Sequence, residues 1–138
     1  MKLSRRESEV VDCLLDAVVA PADDLPRPRR TDAAAAFERM LRHLPTLNRA
    51  GLRCLLWAAE LGPLLGRPRG RLTRLTPAWR AAYVDRFERG PAGRAAEGLV
   101  ALLKLAYYGD AGVMARLGYD PGPVVARARA LRAAEGRW

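Results

Sequence analysis

The chain has 138 residues, 50% of them hydrophobic, and its 24 lysines and arginines against 15 acidic residues give a formal charge of +9. That length is one domain, residues 1–138, and it buries enough surface to fold without disulfides or metal. Two cysteines, Cys13 and Cys54, and one histidine, His43, exclude zinc fingers, cysteine-rich secreted modules and histidine-cluster metal sites.

Alanine and leucine dominate, isoleucine is absent and only four threonines occur. Sheets favour β-branched residues, so the expected fold class is all-α, a single-domain bundle of about six to seven helices. No run of eighteen apolar residues occurs, so no transmembrane segment is expected. Arg5-Arg6 does not read as a twin-arginine signal, because Glu7, Glu9, Asp12 and Asp16 interrupt the apolar residues that follow.

The first helix is predicted to start at Ser4, with Glu7 completing a capping box. Val10, Val11, Leu14, Leu15, Val18 and Val19 form its apolar face, and Pro21 stops it. Residues 21–30 read as a connector rich in proline and arginine. Asp32 is the expected N-cap of a second helix carrying Phe37, Met40, Leu41 and Leu44.

Beyond Pro45 a third helix over 46–61 places Leu52, Leu55, Leu56 and Ala59 on one face, with Trp57 on its flank. It is expected to be the most buried of the set. Residues 66–74 form a basic loop containing two glycines and a proline. Thr76-Pro77 then starts a helix over 77–89 with Trp79, Tyr83 and Phe87 at four-residue spacing.

The longest apolar helix, 92–108, carries Leu99, Leu102, Leu103, Leu105 and Ala106 and is expected to be central and surrounded on most sides. Asp110 caps a short helix with Val113, Met114 and Leu117, and Gly118 is its left-handed terminator. Pro121-Gly122-Pro123 fixes an extended turn before a last helix over 124–134, in which arginine alternates with alanine and leucine.

The candidate chemistry is sparse. His43 lies near a helix C-terminus, where a cation suits the dipole, and no catalytic partner for it can be named. Cys13 and Cys54 are expected to be buried free thiols. Carboxylates are scattered, with Glu60, Asp85 and His43 as the only enzymatic candidates and no spacing that favours them, so the chain reads as no enzyme and as holding no metal or cofactor.

Arginine supplies 22 of the 24 basic residues, Lys2 and Lys104 being the exceptions. It is densest at Arg27, Arg29 and Arg30, and at Arg67, Arg69, Arg71 and Arg74, the second set being candidate anion-binding residues. Neither cluster contains an aromatic residue or base-reading amides, so nucleic acid is disfavoured against an acidic protein surface. Residues 105–123 concentrate three tyrosines and two prolines in a rigid patch suited to a protein interface.

Tyr107-Tyr108-Gly109-Asp110 and Leu117-Gly118-Tyr119-Asp120-Pro121-Gly122-Pro123 resemble a pattern in the subunit 3 (gamma) family of gluconate 2-dehydrogenase-type enzymes. The same pattern occurs in helical N-terminal regions of some long-chain alcohol oxidases of the glucose-methanol-choline class. Leu3-Ser4, Glu7 and an apolar helix ending Ala20-Pro21 are similar to how those segments open. The resemblance implies a non-catalytic accessory subunit that supports the folding or stability of a large FAD-dependent oxidoreductase, with FAD on that partner. The implied partner-binding residues are Tyr107, Tyr108, Asp110, Gly118, Tyr119, Pro121 and Pro123. The implied location is cytoplasmic, or periplasmic by co-export with a signal-bearing partner. The alternative function is a basic helical module that binds nucleic acid or an anionic surface.

Overall fold

The computed structural model describes residues 2–19, 24–66 and 69–136. Among these residues there are seven α-helices and no strand: α1 Arg5–Val18, α2 Ala33–His43, α3 Thr46–Leu61, α4 Pro77–Glu88, α5 Gly93–Tyr108, α6 Ala111–Arg116 and α7 Gly122–Ala134. Short 3-10 turns at Pro28–Arg30, Gly62–Leu65 and Leu72–Arg74 link them. The fold is an all-α helical bundle.

Local chemistry sets most helix ends. Ser4 Oγ accepts from the Glu7 amide at 3.3 Å, while Glu7 Oε2 accepts from the Ser4 amide at 2.8 Å, a complete capping box. Helix α1 ends at Val18, ahead of the predicted stop at Pro21, which lies outside the described residues. Asp32 stands at the N-cap of α2, but its side chain does not cap, and Thr31 Oγ1 accepts from the Ala33 amide instead. Thr76 begins α4 through its backbone and Pro77 rather than through its hydroxyl. Helix α6 ends in a Schellman motif: the Gly118 amide donates to Ala115 O and the Tyr119 amide to Met114 O, with Gly118 at φ +69°. Pro123 falls inside the first turn of α7, so the predicted extended turn is shorter than expected.

The core forms where α1 and α5 meet. Helix α5 packs on α2, α1, α4 and α3, and α1 packs on α4, α3 and α2. Val10, Val11, Leu14 and Leu15 of α1 close against Leu99, Leu103 and Ala106 of α5, with Phe37 of α2 and Val113 of α6 also fully enclosed. Tyr83 and Phe87 of α4 stack on each other at 5.9 Å. Gly62 is required by close approach, because a Cβ there would overlap the Tyr83 hydroxyl.

Two buried carboxylates decide how α3 sits. Glu7 is 2% exposed and takes Arg53 Nε at 2.6 Å and Arg53 Nη2 at 2.8 Å. Glu60 is fully buried and accepts from Arg6 Nη2 at 2.9 Å, the Thr73 amide at 3.1 Å and Thr73 Oγ1 at 2.9 Å. Arg53, Leu56 and Glu60 lie at i, i+3 and i+7, so the polar groups of α3 turn inward beside Leu56 and Ala59.

The expectation that α3 is the most buried helix is therefore overturned. Its predicted inner face is where expected, yet Leu47, Ala50, Gly51, Cys54, Trp57, Ala58 and Leu61 are exposed. Cys54, expected to be buried, is among them, whereas Cys13 is buried and both are free thiols. Helix α5 is likewise central on one side only, with Glu97, Ala101, Lys104, Leu105 and Tyr108 facing out.

Candidate interaction surfaces

The predicted patch at 105–123 divides into residues that hold the fold and residues that remain outside. Tyr107 was expected at an interface, but it is 0% exposed and its hydroxyl donates to Pro26 O at 2.8 Å. The ring fills the core at the end of α5 and is not available to a partner; burial pushes the Tyr107 phenol above its ordinary value. Asp110 is also occupied. Its Oδ1 accepts from the Gly112 amide at 2.9 Å and the Val113 amide at 3.2 Å, and its Oδ2 accepts from the Asp32 amide at 3.0 Å. The Asp32 amide is the main cause that holds the Asp110 carboxyl below its usual range. One side chain thus caps α6 and ties it to the start of α2.

Tyr108, Gly118, Tyr119 and Pro123 are exposed and Pro121 is half-buried, so these stay on the surface. The Tyr108 ring stands edge-on to Tyr107 at 5.0 Å, which fixes its orientation. Leu105 and Tyr108, three residues apart, share the solvent side of α5, and Leu117 is exposed at the end of α6.

Helix α7 was missed as a surface element. It buries none of its residues, and Val124, Val125 and Leu131 are exposed. Val124, Ala128 and Leu131 recur at i, i+4 and i+7 and form a stripe along the helix. Asp120 Oδ1 accepts from the Gly122 amide at 2.8 Å and sets the direction in which the helix leaves.

The two arginine clusters line separate recesses. Arg27 and Arg30 border one with Arg116, whose guanidinium donates to Asp24 O at 2.6 Å, while Arg29 pairs with Asp16 at 2.7 Å. Arg69, Arg71 and Arg74 border a groove of about 510 Å³ together with Leu64, Thr76 and Trp79. Arg67 lies outside the described residues. The sequence places no aromatic residue within this cluster, but the fold brings Trp79 of α4 beside it. Among the described residues, Arg69, Arg71 and Arg74 have no carboxylate partner.

His43 is exposed in the last turn of α2, Asp85 pairs with Arg89 on the surface of α4, and Glu60 is enclosed in its own hydrogen bonds. The fold does not bring these three enzymatic candidates together. Among the described residues no group of three or more His, Cys, Asp or Glu stands where it could hold a metal ion. No helix among them is long and apolar enough to cross a membrane.

Compared with known proteins, the chain matches no family model, no curated protein and no solved structure.

Proposed function

We propose that this chain is a non-catalytic accessory subunit that binds a large FAD-dependent oxidoreductase of the glucose-methanol-choline class and supports its folding or stability. The observation that carries the binding role is α7, a 13-residue helix none of whose residues is fully buried against its own chain. Isolated helices of about that length are marginal in water and draw most of their stability from packing an apolar face. Val124, Ala128 and Leu131 offer such a face, and Tyr108, Leu117 and Tyr119 add large exposed side chains of low conformational freedom.

The nature of the partner rests on the resemblance of the Tyr107–Pro123 motifs. In this reading the burial of Tyr107 and the occupied carboxylate of Asp110 leave the contact to the exposed residues. Tyr108, Tyr119 and the α7 stripe meet the partner, Gly118 and Pro121 shape the turn between them, and Tyr107 and Asp110 act from within by holding α5, α6 and α2 together.

The test is affinity purification of the tagged chain from its native cell, with an absorbance scan for flavin and mass spectrometry of what is recovered. The wild type is expected to recover a flavoprotein at fixed ratio. Val124→Glu with Leu131→Glu, both exposed, is expected to lose it while circular dichroism stays unchanged. Unchanged recovery by the double variant, or recovery of no flavoprotein by the wild type, would overturn the reading.

A further inference from the structure

Helix α3 keeps its charges off its solvent face. Its three charged residues are drawn toward the protein: Glu60 is fully buried, Arg53 clasps Glu7, and Arg49 is half-buried. The strip facing water from Ala50 to Leu61 carries no charge at all. A helix of 16 residues is about 24 Å long, so this is an extended uncharged face.

The face does not stop at the helix end. Trp57, Leu61 and Leu65 follow at four-residue steps into the 3-10 turn at Gly62–Leu65, where Leu65 is 95% exposed. Leu64 then meets Trp79, which is 53% exposed, across the groove bordered by Arg69, Arg71 and Arg74. From residue 61 to residue 84 the sequence has five arginines and no carboxylate. Protruding leucines, half-exposed tryptophans and unpaired arginines therefore occur together.

We infer that this face docks on an anionic lipid surface. The apolar side chains enter the headgroup boundary, and the arginines at the rim meet lipid phosphates. The complementary charge selects an anionic occupant. Leu65 selects a soft one: a side chain on a convex turn, bare on nearly all sides, suits insertion between lipids better than a fit to a rigid protein pocket. No described helix is long and apolar enough to span a bilayer. This inference uses a different surface from α7 and stands without the flavoprotein partner.

The experiment is vesicle co-sedimentation of the whole chain, with phosphatidylcholine alone and with phosphatidylcholine containing phosphatidylglycerol. A Trp138→Phe background confines tryptophan emission to Trp57 and Trp79. The expected result is binding to the anionic vesicles only, with a blue shift in emission and a loss of binding as salt rises. Each arginine charge near the surface is worth about fivefold, so Arg69→Glu with Arg74→Glu is expected to weaken binding by at least about twenty-five-fold. Leu65→Glu is expected to abolish the blue shift, and its near-complete exposure keeps the fold intact by circular dichroism.

Absence of binding to anionic vesicles at low salt would overturn the inference, as would equal binding by the variants. A single-stranded oligonucleotide that binds the wild type more tightly than the vesicles do, with the same sensitivity to Arg69 and Arg74, would assign the surface to nucleic acid instead. A dimer that dissociates in Trp57→Glu would assign it to a second copy of the chain.

Discussion

Replacing Glu7 probes the feature that orients α3. The carboxylate is 2% exposed and receives four hydrogen bonds, two from Arg53 and two from Ser4. Glu7→Ala removes the capping box, worth about 1 kcal/mol, and breaks a buried ion pair whose disruption costs about 3–5 kcal/mol when a charge is left enclosed. Here the guanidinium left behind is Arg53, whose side chain is 31% exposed and is able to recruit water, so the lower end applies, for a total of about 4 kcal/mol. Arg53→Ala leaves the more deeply buried group and is expected to cost about as much or more. Glu7→Gln keeps the cap and is expected to fall between Glu7→Ala and wild type.

The acid dependence of Glu7 has a definite sign. Burial works against the charge, but the Arg53 and Ser4 hydrogen bonds outweigh it and hold the carboxyl below the usual range. A group with a lowered folded-state pKa contributes its full stabilisation above the unfolded value, about 4.3 for glutamate, and loses it as pH falls through the folded value. Urea unfolding followed by circular dichroism at neutral pH and through the acid range measures both effects. A Glu7→Ala penalty below about 1 kcal/mol at neutral pH, or one that fails to shrink in acid, would refute the reasoning.

Asp110→Ala is expected to destabilise by about 1–2 kcal/mol, because the cap of α6 and the acceptor for the Asp32 amide are lost together. Its carboxyl is also held low, so thermal melts are expected to show the penalty at neutral pH and its disappearance as pH falls through the folded pKa. Gly62→Ala is expected to cost about 1–3 kcal/mol through the clash with the Tyr83 hydroxyl, and most of that penalty is expected to vanish in a Tyr83→Phe background. Cys54 is expected to be alkylated rapidly in the folded protein, whereas Cys13, buried and with its thiol pushed up by burial, reacts only on unfolding; equal rates would contradict the placement of α3.

The helices were legible because their ends are set by neighbours in sequence. The Ser4–Glu7 box, the Asp110 cap and the left-handed Gly118 each act within a few residues. Asp32 does not cap α2 because its carboxylate pairs with Arg39 at 3.3 Å and the neighbouring Thr31 hydroxyl takes the Ala33 amide.

The misplaced surfaces have their origin in long-range partners. Tyr107 is buried because the Pro26 carbonyl, 81 residues away in sequence, satisfies its hydroxyl. Cys54 is exposed because Glu7 and Arg6 of α1 draw Arg53 and Glu60 inward across separations of 46 and 54 residues. One signal was present: Arg53 and Glu60 share the Leu56 face at helical spacing, so a helix burying Leu56 also buries charge. The Trp79 groove had no comparable signal, since a basic loop and a helix meet there only through the fold.

Amide hydrogen exchange along α7 tests most directly the central claim that a partner completes the C-terminal face. In the isolated chain, α7 amides are expected to exchange far faster than those of α5, since no α7 side chain is buried, and to become protected in the purified flavoprotein complex. Protection of α7 equal to that of α5 in the isolated chain, or no gain of protection in the complex, would contradict the account.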